Sequence, residues 1–480
     1  MLTSISVLAV SGAGIVAAAI LGRTFGRNAS TDGFLAAYGV YLVLALAAQA
    51  FRSLVIPELT RAEESSNLAG EVGRYGLTFA LAGALLGAGV FVLAAPIGHL
   101  LTGSLPAPAA ETAAGAVLWL VPAAILQLLA GLFSSALAAT GSYLPSAVGY
   151  AAGASAGVVL FVALIGNGLI ALAWGTLLNG FLAALVPCLV LVARRGFPVR
   201  AWQRLDALRR LRRLLGGASV PLAAQLLYLL CLRATADLVV GSTSSFSYAY
   251  LLSAVMVATT AGSLALVSAQ PFTDAGRGTD QVPGHVARLA WLCLVPIAAG
   301  TGVAALAGRQ IFALVLGDSY GGGAGRDLGL LVLALAPWAF GATLYTLLYP
   351  LVFVFERGRR LPLLAVGALA VHALLLVSLF LIPHLAGVAL VAAVLAVSTL
   401  FLAFGLVFLI GPDLPAETAR QTVSVALLVG LVAGACFLPW TLLSNGLLGA
   451  LGGLLTLAVV LGAWRPAGLR EAWVYALRLR

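Results

Sequence analysis

Two charged residues in an apolar stretch of this sequence are spaced so that their side chains can meet. Arg233 and Asp237 lie four residues apart, which places both on one face of a helix. Charges near the middle of a bilayer cost about 2.5–3.5 kcal/mol each, so a pair buried there requires a reason. Two interpretations stay open. The pair neutralises itself and locks its helix to its neighbours, or Asp237 exchanges between Arg233 and a coupling cation or proton. His372 is a further candidate for the coupling group, although a packed, hydrogen-bonded histidine also explains it.

The elements that must position these groups are membrane-spanning helices. The 480 residues are 62% hydrophobic and 9% charged, with a mean hydropathy of +1.09, which excludes a soluble globular domain, a disordered chain and a disulfide scaffold. Apolar runs of about 20 residues recur along the whole chain. We predict an all-α polytopic membrane protein with about fourteen transmembrane helices.

The basic residues predict the topology. All 26 are arginine, and about twenty fall in segments on the side of the N-terminus, against three on the opposite side. Both termini are therefore expected on the cytoplasmic side of the membrane. This asymmetry also explains the net charge of +10 without a nucleic-acid partner. The use of arginine without any lysine, together with the many Ala, Leu and Gly residues, indicates a GC-rich bacterial genome. The four cysteines show no paired spacing, and neither a metal site nor a cofactor is expected.

An internal repeat predicts the domain organisation. Pro57 and Arg74 each have a counterpart 214 residues later, at Pro271 and Arg288. Six spans separate the copies, so both insert in one orientation around an axis along the membrane normal. We expect two pseudo-symmetric six-helix lobes, 1–195 and 217–411, around a central cleft. A basic amphipathic cytoplasmic linker, 196–216, joins them, and 412–480 adds two further helices and a tail.

The start of the chain carries a local motif. It consists of Arg23-Thr24-Phe25-Gly26, then Thr31-Asp32-Gly33-Phe34 with Ala37, followed by Pro57 after the second helix. This pattern resembles the opening of the MviN/MurJ lipid II flippases, a family of the multidrug/oligosaccharidyl-lipid/polysaccharide (MOP) flippase superfamily. The helix count, the lobes and the basic linker extend the resemblance over the whole chain. The resemblance implies that a polyprenyl-diphosphate-linked saccharide crosses the inner membrane by alternating access.

With such a cargo, polar side chains within the spans become candidate ligands. Guanidinium groups would hold the diphosphate, while amides and hydroxyls would bond the sugar. Arg52 also lies close enough to the predicted boundary for its stem to snorkel, and serine or threonine also joins helices in lipid. The candidate substrate-binding residues are Arg52, Arg233, Gln49, Gln225, Thr259 and Ser263.

Charged residues also lie between the first and second spans. Arg23, Arg27 and Asp32 fall at the mouth that the topology places outside. They could simply cap two helix ends at the interface. The alternative is an outer gate for the cleft.

Departures from the family pattern keep other functions open. The first span, residues 5–22, has no charge, where the family usually carries arginines, and Tyr248-Ala249 is followed by Tyr250-Leu251 rather than by Asp-Arg. One alternative is a drug/cation antiporter of the multidrug and toxic compound extrusion (MATE) type. Another is a transport-inactive scaffold for envelope synthesis.

The sequence does not point to an enzyme. The connections predicted to lie outside are only about ten residues long, without a paired catalytic constellation, and no P-loop is present. The expected partners are the lipid-linked saccharide and membrane lipids, with H+ or Na+ as a possible coupling cation and envelope-synthesis proteins as possible partners.

Overall fold

The computed structural model describes residues 2–196, 206–268, 272, 278–381, 387–443, 446–464 and 466–478. This part of the chain is α-helical apart from turns and short 3-10 or π segments, and it contains no strand. Thirteen of its helices are long and apolar enough to cross a membrane, and the shorter apolar stretch Gly12–Phe25 lies in the first helix. The prediction of an all-α polytopic membrane protein with about fourteen spans is confirmed.

The first compact unit, Met1–Ser244, contains seven complete helices. In chain order they are α1 (Leu2–Phe25), α2 (Ala29–Glu64), α3 (Leu68–Thr102), α4 (Ala107–Ala139), α5 (Leu144–Ala163), α6 (Ile170–Arg195) and α7 (Ala207–Thr235).

The second compact unit, Ser245–Arg480, contains the remaining helices, of which α8 begins just before the division. They are α8 (Ser242–Val257), α9 (Ser263–Ser268), α10 (Val282–Leu316), α11 (Gly323–Ala334), α12 (Ala336–Val354), α13 (Leu361–Phe380), α14 (Val388–Ile410), α15 (Leu414–Leu443), α16 (Leu447–Trp464) and α17 (Ala467–Arg478). A π-helical turn, Ala258–Gly262, connects α8 to α9.

Close approach of α2 and α4 organises the first unit. A Cβ atom at Gly33 would collide with the backbone of Ala109, so glycine lets the two helices touch at this point. Towards the other end of α2, Phe51 stacks near Phe79 of α3, with ring centroids 5.9 Å apart, inside an apolar cluster that also contains Leu214 of α7. These contacts fix the ends of α2, α3 and α7 relative to each other.

The seventh helix starts earlier than the sequence pattern indicates. It begins at Ala207, so residues 207–216 of the predicted linker form its first turns and pack on α2 and α3 in the first unit. Residues 197–205 lie outside the described part of the chain. The lobe limits 1–195 and 217–411, and the linker 196–216, stay predictions.

Candidate functional site

The position of Asp237 corrects the expectation that this carboxylate lies well inside a helix. α7 ends at Thr235, and Asp237 lies in the turn of residues 236–241 that leads to α8, which we call the α7–α8 turn. The apolar residues Leu238, Val239 and Val240 occupy this turn, and they extended the hydrophobic pattern of the sequence beyond the true helix end. Asp237 is therefore at the end of a span, where water lowers the cost of its charge.

Arg233 and Asp237 do form an ion pair. Nη1 of Arg233 lies 2.5 Å from Oδ2 of Asp237, and the two side chains are 34% and 36% exposed. The other carboxylate oxygen accepts a hydrogen bond of 3.1 Å from the backbone N–H of Ser104, in the turn between α3 and α4. Gly103 has a φ of +53°, and a Cβ atom there would collide with both charged side chains. The pair thus closes over a turn that only glycine allows.

Asp32 holds the same α7–α8 turn from the other side. Its fully buried carboxylate accepts hydrogen bonds from the backbone N–H groups of Gly241, at 2.5 Å, and Ser244, at 2.8 Å. These donors lie at the N-terminus of α8, where free N–H groups and the helix dipole favour a negative charge. Asn28 caps α2 by accepting a hydrogen bond of 3.0 Å from the N–H of Thr31, which places Asp32 in the first helical turn.

Arg27 completes this contact. Its Nε donates a hydrogen bond of 3.1 Å to the backbone carbonyl of Gly241. Gly241 has a φ of +89°, and a Cβ atom there would collide with the Arg27 side chain. Arg23, the third residue of the predicted outer gate, lies exposed in the last turn of α1. Five residues lie in the α7–α8 turn or contact it. We call them the turn clamp: Arg27, Asp32, Ser104, Arg233 and Asp237.

The predicted cargo ligands lie on several helices. Gln49 and Arg52 are on α2, and their side chains fall outside the part that the structure describes. Gln225 is half-buried on α7. Thr259 lies exposed in the π-helical turn and donates its hydroxyl proton to the carbonyl of Val255, at 2.8 Å.

Ser263, the first residue of α9, is likewise exposed and hydrogen bonds to the π-helical turn before it. Its hydroxyl donates to the carbonyl of Thr260 at 2.8 Å. A hydroxyl that donates its proton keeps lone pairs, so both Thr259 and Ser263 could accept hydrogen bonds from a ligand.

His372 is buried between α13 and α14. Its Nδ1 lies 2.9 Å from Oγ of Ser398, and that hydroxyl donates to the carbonyl of Val394 at 2.8 Å. Because the serine proton is used in this way, Ser398 accepts a hydrogen bond from Nδ1. His372 therefore cross-links two helices of the second unit.

An ion-pair network at the start of α7 was missed by the sequence analysis. Arg210 pairs with Glu71 of α3 at 2.7 Å, and Arg213 pairs with Glu58 of α2 at 2.6 Å. The Tyr75 hydroxyl hydrogen bonds to Glu58, and the Arg210 guanidinium carbon lies 4.7 Å from the centre of the Tyr75 ring. The sequence contains one feature that could have indicated these ion pairs. Glu58 and Glu71 lie in a segment that is predicted to be on the same side of the membrane as the basic linker.

The network borders an open groove of about 420 Å³. Its charged lining consists of Glu58, Arg61, Glu71, Asp206, Arg209, Arg210 and Arg213. Three carboxylates and four guanidinium groups line it, so the groove carries little net charge. α7 is thus held to the first unit at both ends, by the turn clamp and by this network.

No group of three or more histidine, cysteine, aspartate or glutamate side chains that could hold a metal ion occurs among the described residues.

The family comparison and the solved structures agree on one fold. The model of the family described as "Lipid II flippase MurJ" matches residues 21–459. No curated protein matches the chain. The solved structure of a "Lipid II flippase MurJ, inward closed conformation" has a TM-score of 0.74 and 13% identity, and the alignment covers 96% of this chain and 98% of that one.

Two transporters of the MATE type are also similar in fold. An inward-facing multidrug resistance MATE family transporter of the MOP superfamily gives a TM-score of 0.62 at 13% identity, covering 90% of this chain and 94% of that one. The Vibrio cholerae MATE transporter VcmN in the bent form gives 0.54 at 16% identity, with coverage of 89% and 96%.

Proposed function

The chain belongs to the lipid II flippase MurJ family, and we propose that it moves a polyprenyl-diphosphate-linked saccharide, lipid II or a related cell-envelope precursor, to the outer leaflet of the bacterial inner membrane. The observation that carries this proposal is the family match over residues 21–459. The thirteen apolar helices provide the multi-pass membrane body that such transport requires. Alternating access is the proposed mechanism.

The turn clamp is the proposed outer gate. A fully buried carboxylate that accepts two backbone hydrogen bonds is costly to separate from its donors, since bonds to charged groups contribute about 1.5–3 kcal/mol each. Opening the α7–α8 turn must break these bonds together with the Arg27 contact. The clamp therefore favours a closed turn until cargo or a coupling ion supplies a compensating interaction.

The Arg233–Asp237 pair is proposed to serve two functions, binding of the cargo and coupling to an ion. While Asp237 is ionised, it holds Nη1 of Arg233. A proton or a cation at Asp237 would weaken this pair and free the guanidinium group for a phosphate of the cargo. About a third of each side chain is exposed, so a ligand could reach the pair. His372 is kept as a second proposed coupling group.

The remaining proposed cargo ligands are Arg52, which would hold the diphosphate, and Gln49, Gln225, Thr259 and Ser263, which would bond the saccharide. Arg23 is proposed to assist the outer gate.

Reconstituted flippase activity tests the proposal. The purified chain is placed in liposomes with fluorescent lipid II, and the outward fraction is followed by a membrane-impermeant quencher. We expect transport by the wild type and slower transport by Arg233→Ala and Asp237→Asn. Glu111→Gln, an exposed carboxylate near the start of α4, is the matched control and should transport normally.

Other results of this assay would favour the alternative functions or remove residues from the mechanism. No transport by the wild type would favour the scaffold, and transport of amphipathic cations instead of lipid II would favour the MATE-type antiporter. Unchanged activity of both variants would remove Arg233 and Asp237 from the mechanism. Depletion in cells should accumulate the lipid-linked precursor on the inner leaflet.

A further inference from the structure

The C-terminal helix α17 lies directly beside a membrane span. α16 ends at Trp464 and α17 begins at Ala467, so two residues connect them. The three Cα–Cα steps from Trp464 to Ala467 span at most about 11 Å, which keeps the start of α17 at the end of the span. With 12 residues, α17 is too short to cross a bilayer itself.

One face of α17 is fixed against the second unit. Ala472 and Tyr475 are buried, and the Tyr475 hydroxyl lies 2.6 Å from Nδ1 of His285 at the start of α10. The Arg288 guanidinium carbon lies 4.8 Å from the centre of the Tyr475 ring. These contacts set the rotation of α17 about its own axis, so they decide which side chains point outward.

The outward face combines large apolar groups with charges. Trp473 is 63% exposed and Val474 is 43% exposed, and Arg470 and Glu471 are also exposed. A short helix of this kind beside a span is typical of an element in the interfacial plane, where tryptophan is enriched. An aqueous surface gives no reason for an exposed tryptophan next to a valine.

The charge of the segment indicates which lipid it contacts. Residues 465–480 contain four arginines and a single glutamate. Arginines close to an anionic leaflet are attracted to its surface potential, and their long stems reach lipid phosphates while the helix stays at the boundary.

We propose that α17 docks on an anionic lipid surface, with Trp473 and Val474 at the boundary between headgroups and acyl chains and Arg470 at the lipid phosphates. The buried contacts of Tyr475 hold this face towards the bilayer. Because α17 adjoins a span, the bilayer surface is beside it in every copy of the protein, and no second chain is needed to cover the apolar side chains. This docking does not depend on flippase activity.

Depth-dependent quenching in the full-length protein tests the orientation. Bimane is attached to Val474→Cys or, as the matched control three residues earlier in α17, to Glu471→Cys, in nanodiscs of phosphatidylcholine and phosphatidylglycerol. The unsubstituted chain reports labelling of native cysteines, of which Cys231, Cys293 and Cys436 are buried. We expect lipid with a shallow spin label to quench position 474 at least twice as strongly as position 471, and aqueous iodide to show the reverse.

A lipid titration tests whether the positive charge of Arg470 contributes to binding of anionic lipid. Phosphatidylglycerol is added to the detergent-solubilised Val474→Cys protein, and the bimane emission is compared with that of the same protein carrying Arg470→Gln. Removal of one arginine should raise the titration midpoint about fivefold. Glu471→Gln, which removes a negative charge, should not raise it.

Equal lipid quenching at positions 474 and 471 would overturn the proposed orientation. Equal midpoints with and without Arg470 would overturn the proposed phosphate contact. An emission change that follows protein concentration instead of lipid would place a second copy on this face and overturn the proposal as a whole.

Discussion

Replacing Asp32 by asparagine should loosen the α7–α8 turn without altering the size of the side chain. Each carboxylate oxygen accepts one backbone hydrogen bond, Oδ2 from Gly241 and Oδ1 from Ser244. Asparagine offers one oxygen and one NH2 group, so one N–H would face another donor and the other bond would lose its ionic part. We expect Asp32→Asn to keep α2 intact, since Asn28 supplies the helix cap.

The change in the free energy of opening the α7–α8 turn follows from the number and type of hydrogen bonds that Asp32→Asn alters. Hydrogen bonds to charged groups contribute about 1.5–3 kcal/mol, and those between neutral groups about 0.5–1.5 kcal/mol. Losing one bond costs about 1.5–3 kcal/mol and weakening the other about 1–1.5 kcal/mol, which gives about 2.5–4.5 kcal/mol for local opening of the turn. At 1.4 kcal/mol per tenfold change, this corresponds to about 60- to 1,600-fold faster hydrogen exchange.

Hydrogen–deuterium exchange with mass spectrometry measures this effect directly. Peptides that cover residues 236–244 should lose protection, while peptides from α13 and α14, in the second unit, should keep the wild-type rate. Glu111→Gln is the control, because it removes an exposed carboxylate without a described contact to the turn. Wild-type protection of the turn in Asp32→Asn would refute the clamp.

Three further experiments test other parts of the first unit. Gly103→Ala should lower the stability by about 1–3 kcal/mol, seen as a lower Tm, because φ is +53° and the Cβ atom would meet the Arg233–Asp237 pair. Glu71→Gln should cost about 1–3 kcal/mol in denaturant unfolding, since it leaves the mostly buried Arg210 without its ionic partner. A double-mutant cycle of Arg233→Ala and Asp237→Asn should give a coupling energy below about 1 kcal/mol, because both side chains are a third exposed.

Gly103→Ala and Glu71→Gln each have a matched control within the chain. Gly141→Ala carries a similar positive φ of +73° with no neighbour within 4 Å of the added carbon, so it separates backbone strain from the collision at Gly103. Arg209→Gln removes a side chain that is 79% exposed and should change stability by less than about 0.5 kcal/mol. A coupling energy of several kcal/mol for the Arg233–Asp237 pair would contradict its partly solvated position.

Local interactions were predictable because they depend on residues close in sequence. The apolar runs determine the helices through the length of a bilayer span, and the four-residue spacing determines the Arg233–Asp237 contact. The motif around Arg23 and Asp32 indicated the family that the comparison over residues 21–459 establishes. The expectation that Asp237 lies within the helix was wrong, because α7 ends at Thr235 and hydropathy does not distinguish an apolar turn from a helix.

The amino-acid sequence is enough to identify a multi-pass helical membrane protein of the lipid II flippase MurJ family, whereas the partners of its buried charges become visible only in the folded chain. Asp32 meets backbone groups 209 and 212 residues away, and Arg210 meets a carboxylate 139 residues away. Every residue except proline carries a backbone N–H group, so the residue types of Gly241 and Ser244 do not identify them as partners of Asp32. Such contacts arise when apolar packing brings distant helix ends together. Charged side chains that become buried there hydrogen bond to neighbouring groups, because an unpaired buried charge is costly.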